Sequence, residues 1–275
     1  QNGLWDGERV LSEEMVKMAT SLQMDTSTNV EGIPDCRLGY GFQIWMCHPE
    51  GAYRADGALG QYSIVFPNLD MVVSINESAP YPNVVQDVLD IVYDVLLPEV
   101  ADGPLPEDPE AFAELAHRLA GLAIPRPPYS PYSSYIDKIN GKRFLVREGD
   151  IPWIADYRMM VAGTPERVTA FRLDFEPGAC KITFDVENKP FEVAVGINGN
   201  GVTSTVKTKW PFSQVYTAGW WEHDAKLILQ FRWLETCIIK QVAIEFADGE
   251  AAVTTSNRKV GVFDPPDVHA RAVMA

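Results

Sequence analysis

The chain has 275 residues, 46% of them hydrophobic and 22% charged, a balance that excludes a disordered chain and supplies enough length for one large core or two ordinary ones. No run of about 18 apolar residues is present, which excludes a helical membrane span. The net charge of −15 is uneven: residues 1–103 carry 4 Lys and Arg against 16 Asp and Glu, a net of −12, whereas residues 104–275 carry 19 against 22, a net of −3. Nucleic acid and anionic membrane are therefore excluded as partners, and two compositionally distinct regions are expected.

The N-terminus, Gln1-Asn2-Gly3-Leu4-Trp5-Asp6, has neither a basic nor an apolar leader region and no initiating Met. It is read as a cut through a longer chain, and a cytoplasmic location is expected. Residues 8–20 predict a short helix with Ser12 as N-cap and Glu13 and Glu14 in the first turn, where the helix dipole favours negative charge. Leu11 and Val16 are placed to staple across that cap. Three strand-like runs follow at 39–47, 61–66 and 71–76, each aromatic or β-branched and bounded by Gly, Pro, Asn or Asp. Their short connections predict an antiparallel meander.

Over 83–97, Val84, Val85, Val88, Leu89, Ile91, Val92, Val95 and Leu96 give helical spacing, with Asn83 as cap and Pro98 as stop. The apolar face of this helix is expected to cover one side of the meander. Residues 101–128 are a Pro-rich linker that carries a helix at 109–122. From 129 to 275, alternating runs at 171–175, 181–186, 191–195, 227–233 and 238–246 predict a small antiparallel barrel, lipocalin-like, with a sandwich as the alternative. The tail from Asp264 to Ala275 is expected to be poorly ordered. Barrels of this size hold one small ligand or are filled by side chains, and a filled interior is the expectation.

The cysteines Cys36, Cys47, Cys180 and Cys237 form no C-x-x-C pair and read as buried thiols in a reducing compartment, with a Cys36–Cys47 bridge left open. Cys47-His48 with Glu50 lacks a second cluster to complete a metal site, so neither a metal nor a cofactor is expected. Ser204-Thr205-Val206-Lys207 has Ser-x-x-Lys spacing but reads as a strand, on which the two residues point to opposite faces. Ser256-Asn257-Arg258-Lys259 has the same spacing in what reads as a polar turn. Tyr81-Pro82-Asn83 and Ser74-Ile75-Asn76 have Tyr-x-Asn and Ser-x-Asn spacing. Trp220-Trp221-Glu222-His223-Asp224 reads as a hairpin with core tryptophans, with a binding site as the alternative. His117 lies on the linker helix and reads as solvated or packed.

Residues 39–76 carry a resemblance. Gly39-Tyr40-Gly41-Phe42-Gln43-Ile44-Trp45, then Tyr53-Arg54-Ala55-Asp56-Gly57-Ala58-Leu59-Gly60-Gln61-Tyr62, then Ile64-Val65-Phe66-Pro67 and the strand from Met71 resemble the closing strands of the β-lactamase-related, penicillin-binding-protein-like serine hydrolases. The approach from Gln1-Asn2-Gly3 to Ser12-Glu13-Glu14 is similar to the same family. The fold class this implies is α+β: an antiparallel β-meander with flanking helices over 1–100, as the C-terminal part of the hydrolase domain, followed by an all-β barrel over 129–275. The resemblance places the substrate-binding third motif at Arg54, Ala55, Asp56 and Gly57, where the family carries Lys-Thr-Gly or His-x-Gly. The cation is thereby displaced to Arg54. It also implies an acyl-serine mechanism for an ester, amide or β-lactam substrate in the parent protein. The nucleophile would precede residue 1, so no catalytic residue is assigned in this chain and the chain alone is expected to be inactive. The expected partners are a small-molecule substrate and either the missing hydrolase segment or a second copy, paired through residues 39–76. The alternative is a non-enzymatic ligand-binding or interaction module built on the β-domain.

Overall fold

The structure, a computed structural model, describes residues 2–29, 33–58, 60–77, 83–153, 167–187, 189–207, 212–236, 238–257 and 266–275, with the side chains of 83–85 excepted. The chain divides into two units between Pro106 and Glu107, and each is taken by itself.

The first unit opens on a two-strand hairpin, β1 (Leu4–Trp5) and β2 (Glu8–Arg9). Asp6 and Gly7 sit between them at φ 49° and 79°, the mirror-image turn that Asp-Gly favours in two-residue hairpins. The hairpin takes residues the helix was expected to use, so α1 is confined to Glu13–Ala19. The expected cap is in place: Ser12 Oγ accepts from Met15 N at 3.1 Å.

The meander is a four-stranded sheet in the order β3 (Trp45–Met46), β4 (Tyr53–Gly57), β5 (Gln61–Phe66) and β6 (Met71–Ile75), antiparallel throughout. The first strand is shorter than the run 39–47 suggested. Gly39 and Gln43 both adopt positive φ, 115° and 61°, which breaks extended pairing on either side of Tyr40. Tyr62, Ile64 and Phe66 of β5 point to one face and join Leu89 and Val92 in the core of the unit. Helix α2 (Asn83–Ile91) supplies Leu89 and runs on into a wider π turn, Val92–Leu96. That turn advances the chain by an extra residue and rotates the apolar stripe out of phase, which is why Val95 and Leu96 of the expected stripe are exposed; Ile91, before the turn, is exposed as well.

The second unit begins with α3 (Pro109–Ala120), followed by the short α4 (Ile136–Ile139). Ten strands follow: β7 (Arg143–Gly149), β8 (Val168–Glu176), β9 (Ala179–Val186), β10 (Lys189–Gly196), β11 (Val202–Thr205), β12 (Gln214–His223), β13 (Lys226–Trp233), β14 (Ile239–Ala247), β15 (Glu250–Asn257) and β16 (Val268–Met274). They pair as β10-β9-β8-β7-β16-β15-β14-β13-β12, and β10 closes back onto β12 through Gly196 and Ala218. The result is a nine-stranded barrel, with β11 laid on β12 outside the ring. An odd ring cannot be antiparallel at every seam, and the parallel β10–β12 contact is where that mismatch falls. The chain reverses through β11 to reach it.

The expectation of a disordered tail is corrected. β16 pairs with β15 on one side and β7 on the other. Ala270 and Ala272 are buried while His269 and Arg271 are exposed, so the tail follows the two-residue alternation of a barrel strand. Small alanines give that alternation little hydrophobic contrast, and the run does not stand out in the sequence. Ser256 and Asn257 likewise lie in β15 rather than in a turn.

Candidate functional site

The inward positions of the barrel build the site. Thr217, Phe231, Lys240 and Asn257 are register partners across β12, β13, β14 and β15, and form one row around the wall. Thr217, Phe231 and Lys240 have no exposed surface. Lys240 stands in phase with Val242, Ile244 and Phe246, the other buried residues of β14.

A turn of the chain fills the space inside. Gly149 ends β7 at φ 75°, and a Cβ there would stand 1.9 Å from the His269 carbonyl oxygen, so only glycine fits. Beyond it, Trp153 N donates to Ile151 O at 2.9 Å, a three-residue turn. This turn sends Ile151 and Trp153 inward, and both are buried. The Trp153 indole stacks on Phe184 at 5.0 Å and meets Phe191, Phe231 and Trp233 at 5.9, 6.2 and 6.1 Å. Ring pairs of this kind stabilise by about 0.5–1.5 kcal/mol each beyond area burial. The Lys240 ammonium donates to the Pro152 carbonyl, which ties the turn to the wall. Around it are polar atoms with no hydrogen-bond partner among the described residues: Trp153 Nε1, Trp233 Nε1, Thr217 Oγ1 and Thr255 Oγ1. A buried donor without a partner costs about 1–3 kcal/mol, so this end of the barrel is rich in unmet hydrogen-bonding capacity.

The opposite end is closed by residues 130–140. Trp221 N donates to Ser130 O at 2.8 Å, and Ser134 N donates to Asp224 Oδ1 at 2.7 Å. Tyr135 stacks on Phe246, and Ile139 is buried beside them. A cleft of about 50 Å³ remains there, lined by Tyr135, Phe144, Phe246 and Met274 among others. Of the Trp220-Trp221 pair, Trp221 is in the interior against Phe175 and Phe246, and Trp220 is half-buried on the other face of its strand. Burial pushes the inward Cys180 thiol well up, so it stays protonated.

The residues assigned to the third motif are on β4. Ala55 is exposed, and Asp56 and Gly57 are half-buried. Arg54 is 0% exposed and packed between aromatic rings, with its guanidinium carbon 5.8 Å from the Trp45 centroid and 5.7 Å from that of Tyr62. Its Nε donates to Asp56 Oδ2 at 3.0 Å and its Nη1 to Met46 O at 3.2 Å. Asp35 Oδ2 lies 3.6 Å from Nη1 and accepts from Tyr93 Oη at 2.7 Å. Cys36 Sγ and Cys47 Sγ each stand 3.8 Å from a guanidinium nitrogen. Burial acts to lower the Arg54 pKa, but Asp56, Cys47 and Asp35 more than offset it and keep the group charged.

The remaining candidates are not brought together. Ser204 is half-buried on β11 and Lys207 is exposed beyond its end, while Lys259, Tyr81 and Pro82 lie outside the described residues. Cys47 is buried while His48 and Glu50 are exposed, and among the described residues no group of three His, Cys, Asp or Glu is placed to hold a metal. Cys237 lies outside the described residues. Lys240 was not singled out in the sequence, although its phase within Ile238-Ile239-Lys240-Gln241-Val242 marks it as the one charge among inward positions of that strand.

No family model matches the chain, and no curated protein matches it. Solved structures are similar to the barrel half. Caenorhabditis elegans lipid binding protein 8 is 10% identical, covering 52% of this chain and 99% of that one at a TM-score of 0.36. A Schistosoma mansoni fatty acid binding protein solved with arachidonic acid is 9% identical, covering 52% and 99% at 0.37. A secretory abundant heat soluble protein from Ramazzottius varieornatus is 8% identical, covering 50% and 94% at 0.37. The resemblance of residues 1–100 to the β-lactamase-related hydrolases is corrected by the burial of Arg54. The meander stands as a four-stranded sheet, but the cation placed at its cleft motif is sealed in the core of its own unit.

Proposed function

We propose that the barrel is a non-catalytic binding module. Its ligand is a small apolar molecule with an acidic head, the head on the buried indole and hydroxyl donors of the aromatic wall and the apolar body where Trp153 lies. The observation that carries this reading is that set of donors, Trp153 Nε1, Trp233 Nε1, Thr217 Oγ1 and Thr255 Oγ1, buried with no partner among the described residues. A buried donor without a partner is costly, and a carboxylate accepts from several donors at once through charge-assisted hydrogen bonds. The same wall offers hydrogen-bond donors rather than a nucleophile with a base, so it supports recognition rather than chemistry.

The Ile151–Trp153 turn occupies the position such a ligand would take, so ligand and turn compete. The test titrates the protein with a medium-chain alkyl carboxylate and with the alcohol of the same length, reading tryptophan fluorescence. A charge-assisted hydrogen bond of about 1.5–3 kcal/mol predicts that the carboxylate binds roughly 10- to 100-fold more tightly. Trp233→Phe, which removes one of those indole donors and keeps an aromatic ring, should weaken that preference. Equal affinity for acid and alcohol, or no saturable response to either, would defeat the reading.

A further inference from the structure

Residues 101–123 are exposed throughout, and within them α3 buries no residue. The helix is locally well specified. Asp108 Oδ1 caps it by accepting from Ala111 N at 2.9 Å, Pro109 takes the first helical position, and Arg118 Nη2 meets Glu114 Oε1 at 2.6 Å one turn away. Its apolar side chains nevertheless face solvent: Phe112, Leu115, Leu119 and the following Leu122 are 73%, 54%, 58% and 76% exposed. Their spacing is that of the two seam positions of a heptad, repeated twice. Twelve residues are at the lower edge of what persists as an isolated helix in water, where roughly 12–15 residues are marginal. The stripe therefore calls for a partner.

We infer that α3 is a self-association helix that pairs antiparallel with α3 of a second copy. The charge pattern selects this occupant. Glu114 and Arg118 lie on the same flank of the stripe. When a second helix is laid antiparallel with Leu115 against Leu119, that flank faces its own counterpart, and each Arg118 comes beside the partner subunit's Glu114. The contact forms twice by symmetry, as an isologous interface requires, and the two helix dipoles oppose. A parallel pair would set that flank against the Ala116 side and leave both charges without a cross-helix partner. Ala111 and Ala116, on the two flanks, let the backbones approach. An anionic membrane is a poor alternative, because the polar face carries acid as well as base and the chain has a net charge of −15. Burying the stripe in both copies removes on the order of 1,000 Å² of surface, the low end for a specific interface. The pairing is accordingly weak and concentration-dependent.

Sedimentation velocity on the full chain across a wide concentration range tests this. A monomer–dimer equilibrium is expected, and Leu115→Glu with Leu119→Glu should abolish it while leaving the thermal transition of the barrel in place. Glu114→Arg alone should weaken the dimer about tenfold or more, and Glu114→Arg with Arg118→Glu should restore it. A chain that stays monomeric at every concentration overturns the inference, as does a charge swap that fails to restore pairing. A dimer that survives the two leucine substitutions also overturns it and shifts the contact to another surface. Co-sedimentation with phosphatidylcholine–phosphatidylserine vesicles, lost on the leucine substitutions while the chain remains monomeric, assigns the stripe to a lipid surface and overturns it too.

Discussion

Lys240 and Pro152 are 88 positions apart in the chain, yet the Lys240 ammonium donates to the Pro152 carbonyl inside the barrel. The contact joins the start of β14 to the turn after β7. It fixes the one lysine of the inward β14 row to the segment that fills the lumen.

Removing the plug should separate stability from binding. Trp153→Ala deletes an indole held by Phe184, Phe231 and Trp233 and should destabilise the protein by about 3–5 kcal/mol. The cavity it leaves should raise affinity for the alkyl carboxylate. Denaturant unfolding and the fluorescence titration, run on the same variant, check both; loss of stability with no gain in affinity would show that the turn does not occupy the ligand position.

Arg54 gives a prediction of opposite character from the one its sequence position suggested. Arg54→Met leaves the buried Asp35 and the half-buried Asp56 without their cation and should cost about 3–5 kcal/mol. Adding Asp35→Asn and Asp56→Asn should recover part of that loss. A substrate-facing arginine on a cleft wall would leave the midpoint of chemical denaturation unchanged.

Asp224 should make the closure by residues 130–140 sensitive to acid. Hydrogen bonds from the Ser134 hydroxyl and amide hold its carboxyl below the ordinary 3.8. A carboxyl with a lowered folded pKa stabilises fully above its unfolded value, and the contribution is lost as pH falls below that value through the folded one. Hydrogen exchange at the Ser134 amide, compared at matched intrinsic rates, should show protection that falls below about pH 3.8. In Asp224→Asn that pH dependence should be absent.

Ending the chain after Asp267 should abolish cooperative unfolding of the barrel. β16 lies between β15 and β7, and without it both neighbours become unpaired edges. Near-UV circular dichroism and a thermal melt report the loss; a sharp transition in the truncated chain would show that the ring is stable when open.

Local chemistry made several elements legible. Ser12 caps α1 because a hydroxyl before Glu13-Glu14 satisfies helix amides wherever the helix sits. The alternation in 171–175, 181–186, 191–195, 227–233 and 238–246 encodes strands with one buried face, and their number and spacing indicated a barrel. The hairpin residues at Asp6-Gly7 carried a turn signal that the helix reading of 8–20 overrode.

The tertiary structure decided which face was which and how the ring closed. Arg54 reads as a hairpin cation until Asp35, Asp56 and Tyr93 converge on one point; nothing local distinguishes a charge that faces solvent from one compensated in a core. Gly196 against Ala218 and the alanines of β16 close the barrel, and such small residues carry no hydrophobic contrast of their own. Their role follows from partners far along the chain. The periodicity of residues 129–275 determined that the region would build strands with an inside. That the inside would hold Trp153 and Lys240 together depended on a turn delivered through a glycine at positive φ, a relationship between segments that a one-dimensional pattern does not contain.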